Sequence, residues 1–80
     1  MDRRFTFKVL SVTEEYGLSC YVVQCSAQKF KRIIKAHYDR SGSVYIPDYQ
    51  QQLAAMSDLD RTVLDIQLAS FILKKEKLKV

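Results

Sequence analysis

The stretch Ala27-Gln28-Lys29-Phe30-Lys31-Arg32-Ile33-Ile34-Lys35-Ala36-His37-Tyr38 decides the architecture, because its apolar residues fit two periodicities and each implies a different fold. Threaded as a strand, Phe30, Ile34 and Tyr38 share a face with Arg32, while Ile33 stands among lysines. Threaded as a helix, Ala27, Phe30, Ile33, Ile34, His37 and Tyr38 fall within an arc of about 120–150°, with Gln28, Lys31, Arg32 and Lys35 opposite. The helical template separates apolar from charged residues more cleanly. It predicts a helix over 27–38, with Ser26 as its N-cap and Ser41-Gly42 as its stop.

Upstream of this segment the period is two. Phe5, Phe7 and Val9 alternate with Thr6 and Lys8, and Leu10 and Val12 make the far end of the same run apolar on the other face. A first strand is expected over 4–13, a loop at Glu14-Glu15-Tyr16-Gly17 in which Gly17 takes positive φ, and a second strand over 18–25. Leu18, Cys20 and Val22 on one face and Tyr21, Val23 and Cys25 on the other suit a central strand covered on both sides. Val22 is accordingly expected in the core.

Downstream, Ser43 to Ile46 is β-prone and Pro47 ends it, as at an edge. Asp48 with Gln51, and Ser57 with Asp60, both have capping-box spacing. One helix through both would be about 45 Å long, too long for a domain about 30 Å across, so a break is expected at Ser57-Asp58. In the last helix, 58–77, Leu59, Val63, Ile66, Ser70 and Leu73 form one stripe and Leu64, Leu68 and Phe71 a second, with Ile72 widening the apolar surface. The first stripe is assigned to the sheet and the second to a neighbour. The fold class expected is therefore α+β, a small antiparallel three-stranded sheet covered by C-terminal helices in the order ββαβαα, forming a single domain over 1–80.

Eighty residues, 48 % apolar and 28 % charged, with two Gly and one Pro, describe a globular chain rather than a disordered one. Such a small core is marginal, and small proteins reinforce it with disulfides, metals or partner subunits. Cys20 and Cys25 are five apart, which sends them to opposite faces of a strand, so they are not expected to pair. No apolar leader precedes Phe5 and no apolar run approaches the length of a membrane span, so a cytoplasmic protein with reduced thiols is expected.

The net charge of +4 lies wholly in residues 1–40, which carry eight Lys/Arg against four Asp/Glu. Arg3, Arg4, Lys8, Lys29, Lys31, Arg32, Lys35 and Arg40 are the candidate phosphate-binding set, centred on the basic side of the 27–38 helix. A solvated lysine face is the plainer explanation of the same residues. Tyr16, Tyr45 and Tyr49 suit either base stacking or a protein interface.

Catalytic and metal chemistry find little support. His37 is the only histidine, and no C-x-x-C or H-x-x-x-H spacing joins it to Cys20 or Cys25. A Cys/His thiol or metal site remains a minor alternative that nothing in the sequence assembles. Phosphate-cradling glycine loops are absent, and Asp58 and Asp60 sit where carboxylates favour a helix N-terminus. No catalytic residue, metal ligand, cofactor or small-molecule substrate is assigned. The reading is a non-catalytic protein-interaction module of adaptor or inhibitor type, homodimeric through Leu64, Leu68, Phe71 and Ile72, with nucleic-acid binding as the alternative.

Overall fold

A computed structural model describes residues 5–28 and 30–78. It is an α+β protein in which a four-stranded antiparallel meander is followed by a long C-terminal helix. The strands are β1 (Thr6–Glu15), β2 (Leu18–Ala27), β3 (Phe30–Asp39) and β4 (Val44–Tyr45), and the helices are α1 (Tyr49–Gln52) and α2 (Asp58–Lys77). The order is ββββαα. In place of the helix expected over 27–38, β2 runs to Ala27 and strand β3 begins at Phe30.

The reason lies in β2, whose ten residues all pair with β3, from Leu18↔Asp39 to Ala27↔Phe30. A helix at 27–38 would have left that ladder open. Phe30, Ile33, Ile34 and Tyr38 are also residues that favour a pleated surface. The obstacle in the strand threading was an arginine on the apolar face, and the fold removes it: Arg32 Nη1 donates to the carbonyl oxygens of Gln52 at 2.9 Å and Ala54 at 2.8 Å. Ile33 does stand among lysines, 59 % exposed.

β1 and β2 form the expected hairpin, closed by Tyr16 (φ 52°) and Gly17 (φ 79°) between the paired residues Glu15 and Leu18. Two successive positive φ values give the tight turn whose twist matches the strands. Leu10 is left unpaired where the register shifts between Val9↔Val23 and Ser11↔Val22. This bulge resets the alternation, so that Val9 and Val12 both lie opposite inward residues, Val23 and Tyr21. Val22 points to the other face and is half-buried, not a core residue.

The core lies on one side of the sheet. Tyr21, Val23 and Cys25 of β2 and Ile34 and Ala36 of β3 pack with Ile46, Leu53, Leu64, Leu68 and Ile72. Helix α2 is fixed by Gln67, whose Oε1 accepts from the Phe5 amide at 2.9 Å, by Phe71 against Phe7 at 5.2 Å between ring centres, and by a hydrogen bond from Tyr21 Oη to Glu76. Those anchors turn Leu64, Leu68 and Ile72 inward. Leu59 and Ile66 are left 56 % and 63 % exposed, so the two stripes of the helix are assigned the opposite way from the sequence expectation.

The break before α2 is where helix length requires it. Ala55 has a positive φ of 66°, and Ser57 Oγ accepts from the Asp60 amide at 3.1 Å as the N-cap. Asp48 caps nothing with its side chain, since it is itself left-handed at φ 51°, and α1 is a single turn. Gln52 has a different task. Its Oε1 accepts from the Lys35 amide at 2.7 Å and its Nε2 donates to the Lys35 carbonyl at 2.9 Å, so one carboxamide stands in for the strand neighbour that β3 lacks beyond β4.

Candidate functional site

A sheet packed on one side only leaves a second face, and among the described residues no helix or strand covers it. The register lays its side chains out in rows. Thr6, Ser26 and Lys31 form one row, Lys8, Gln24 and Ile33 the next, then Ser11, Val22 and Lys35, then Thr13, Cys20, His37 and Tyr45, and last Glu15, Leu18 and Asp39. Leu10, 45 % exposed at the bulge, adds to the third row beside Ser11.

Lys8, Lys31 and Lys35 are all exposed on this face. Lys31 and Lys35 stand about 13 Å apart along β3, and Lys8 is two strands away, about 10 Å across the sheet. Between them lie Ile33, Val22 and Gln24. The opposite end carries Glu15 and Asp39, so the face is polarised, basic where the β2–β3 turn lies and acidic at the β1–β2 turn.

The candidate phosphate-binding residues therefore separate. Lys8, Lys31 and Lys35 converge on the open face. Arg32 points to the other side, with its guanidinium held by two carbonyls and 5.5 Å from the centre of the Phe30 ring. Arg40 lies at the acidic end, beside a hollow lined by Glu14, Tyr38 and Glu76. Arg3, Arg4 and Lys29 lie outside the described residues. The helical face that was to unite the set does not exist, and alternation along β3 replaces it.

The candidate interface residues separate too. Leu64, Leu68 and Ile72 are fully buried within the chain, and Phe71 is half-buried on Phe7, which takes this stripe off the surface. Tyr49 is half-buried against the core. Tyr16 is fully exposed at the hairpin tip, and Tyr45 lies on the open face.

Tyr45 belongs to a row that sequence spacing did not reveal. His37 lies between Cys20 and Tyr45 across the sheet, its Nδ1 is 3.2 Å from Tyr45 Oη, and the two rings meet edge to face at 5.2 Å. Cross-strand registry creates this neighbourhood, and the 16 residues between Cys20 and His37 conceal it. Among the described residues no hydrogen bond joins Cys20 to His37, and no group of three His, Cys, Asp or Glu side chains is placed to hold a metal ion. Cys25 is on the other face, fully buried, and burial pushes its thiol pKa up to about 12. It has the environment of a packing residue, not a nucleophile.

No described helix is long and apolar enough to cross a membrane. Compared with protein-family models, with curated proteins and with solved structures, the chain matches none.

Proposed function

We propose that this protein is a small non-catalytic binding module, of adaptor or inhibitor type, that docks an acidic protein surface on the open face of its sheet. The observation that carries the reading is the position of Ile33. It is 59 % exposed, flanked along its own strand by Lys31 and Lys35 and level with Lys8 across the sheet. An apolar centre within a charged rim is the anatomy of a protein interface, and lysines at the rim speed the encounter with an acidic partner. The backbone beneath is laddered to β2 along the whole of β3, so the surface is organised before binding and little ordering entropy is lost. The free thiols Cys20 and Cys25 fit a reducing, cytoplasmic setting.

Nucleic-acid binding by the same face is the second reading, and one observation favours it: alternation puts Lys8, Lys31 and Lys35 on one side together with the hydrogen-bonding side chains of Thr6, Gln24 and Ser26. β-Sheets can enter a nucleic-acid groove in this way. Ile33 at the centre argues for a protein instead, because an isoleucine offers nothing to a phosphate.

The two readings part in a single set of columns. Nuclease-treated extract from the native host is passed over immobilised wild type, Ile33→Asp and the double variant Lys31→Glu/Lys35→Glu, and the purified protein is passed over duplex DNA against salt. A discrete acidic protein held by the wild type, lost by Ile33→Asp and weakened by the lysine reversal supports the interaction module. Capture indifferent to Ile33→Asp contradicts it. Three phosphate contacts would give a salt slope of about −2.7 on DNA, abolished by the lysine reversal, and that result would favour the second reading.

A further inference from the structure

Helix α2 has a second apolar stripe opposite the one that packs on the sheet. Leu59, Val63, Ile66, Ser70 and Leu73 follow each other at spacings of four, three, four and three, the seam of a two-helix coiled coil. Leu59, Ile66 and Ser70 are exposed, and Val63 and Leu73 are half-buried. Val63 packs against the core, whereas Leu59 and Ile66 are left in solvent. Since the sheet takes Leu64, Leu68 and Ile72, two exposed β-branched or leucine side chains along one line of the same helix have no structural task within one chain.

We propose that a second copy of this chain occupies the seam, its α2 running antiparallel and the two-fold axis passing near Ile66. The charge asymmetry along α2 chooses this occupant and its direction, with Lys75 itself turned to the sheet side, its Nζ 5.3 Å from the centre of the Phe71 ring. The first half of α2 carries Asp58, Asp60 and Asp65 against Arg61, and the last turns carry Lys74, Lys75 and Lys77 against Glu76. Arg61 is already engaged, donating from Nε to the Leu53 carbonyl at 3.1 Å. A parallel pair would set acid beside acid and lysine beside lysine. An antiparallel pair lays the acidic half of each helix on the basic half of the other, and it opposes the two helix dipoles as well. Centring the contact on Ile66 brings Ile66 against its own counterpart, with Leu59 near Leu73 of the second copy and Asp58 near Lys74 of the second copy.

The seam from Leu59 to Leu73 spans 15 residues, about 21 Å from end to end. A single pair of helices meeting over that length makes a limited contact beside the roughly 800 Å² per partner of a standard stable interface, so a weak and reversible dimer is expected. It leaves the open sheet face free, and it would give a bound partner two equivalent docking faces. This inference does not rest on the function proposed for that face, because Ile33 and Ile66 lie on opposite sides of the molecule.

Sedimentation equilibrium of the full chain from about 10 µM to 1 mM tests it. The wild type is expected to shift from monomer toward dimer across that range, Ile66→Glu to weaken the association more than tenfold while keeping its circular dichroism, and Ile33→Glu to leave it unchanged. Direction is read by oxidising an equimolar mixture of Leu59→Cys and Leu73→Cys chains in a Cys20→Ser background. Antiparallel pairing gives chiefly the mixed disulfide, whereas parallel pairing gives the two homodisulfides. A wild type that stays monomeric at 1 mM, association indifferent to Ile66→Glu, or predominance of homodisulfides would each overturn the proposal.

Discussion

Arg32 reaches across from β3 to the carbonyl oxygen of Gln52 at 2.9 Å, and Gln52 reaches back with its carboxamide to both backbone groups of Lys35 at 2.7 and 2.9 Å. The pair staples the segment 46–56 to the free edge of β3 and makes an arginine acceptable on the apolar side of a sheet. Together with Arg61, whose Nε donates to the Leu53 carbonyl at 3.1 Å, it holds the segment that carries Leu53 into the core.

Arg32→Leu should therefore destabilise the protein, although it replaces a charge by an apolar residue on the buried side. The loss of the hydrogen bond from a charged donor to the part-buried Gln52 carbonyl is worth about 1.5–3 kcal/mol, whereas the exposed Ala54 carbonyl can turn to water. Arg32→Lys should recover only part of this, because an ammonium lacks the planar fork. Urea denaturation of the three proteins gives the comparison, and equal midpoints for wild type and Arg32→Leu would show that the staple carries no stability.

Adjacent valines in β2 should respond oppositely to charge. Val23 is fully buried and Val22 faces the open side. Val23→Asp places an unpaired carboxylate in the core and should prevent folding, as burial of an isolated charge costs several kcal/mol. Val22→Asp should still give a cooperative melt, within about 2 kcal/mol of wild type. Unfolding by Val22→Asp and tolerance of Val23→Asp would invert the assigned faces of the sheet.

Tyr16 occupies a left-handed conformation at φ 52° with its side chain fully in solvent. A non-glycine residue held there costs about 1–2 kcal/mol, and asparagine tolerates the region best. Tyr16→Asn makes the turn Asn-Gly, the preferred pair for this hairpin, and should raise the melting temperature by several degrees. A lower melting temperature would mean that Tyr16 makes a stabilising contact.

The two thiols should differ in reactivity. Cys20 is half-exposed and should react with a disulfide reagent in the folded protein, while Cys25 reacts only on unfolding. The buried thiol also has a pH signature. Unfolding lets it ionise near its ordinary value of 9.0 while the folded state holds the proton to about 12, so stability unaffected below pH 9 falls as pH rises between those values, by about 1.4 kcal/mol per unit. Cys25→Ala should lose less stability than wild type between pH 9 and pH 11. Parallel pH profiles would place the alkaline transition elsewhere.

Much of the fold is legible in the sequence, but not its pivotal element. The hairpin can be read from alternation and Gly17, and the start of α2 from Ser57 and helix length. β3 cannot, since helical spacing sorted 27–38 better than strand alternation did. What reversed the balance was long-range: two carbonyls from residues 52 and 54 that accept Arg32, and a ladder to β2 along its whole length. The two stripes of α2 are equally apolar, and only the anchors through Gln67, Phe71 and Glu76 decide which one is buried. The candidate face followed the same course. Lys31 and Lys35 share one face, but Arg32, grouped with them by helical spacing, lies on the other, and their companions Lys8, Ile33 and Tyr45 depend on register, which pairs residues far apart in sequence.

Photo-crosslinking from the centre of the open face tests the proposed docking most directly. A benzophenone amino acid in place of Ile33 is irradiated in nuclease-treated extract from the native host, alongside the same group in place of Gln28, which is exposed in the β2–β3 turn. One discrete acidic protein adduct from position 33, competed away by excess wild type and absent from position 28, is the expected result. No competable adduct from position 33, or the same adduct from both positions, would contradict docking at Ile33.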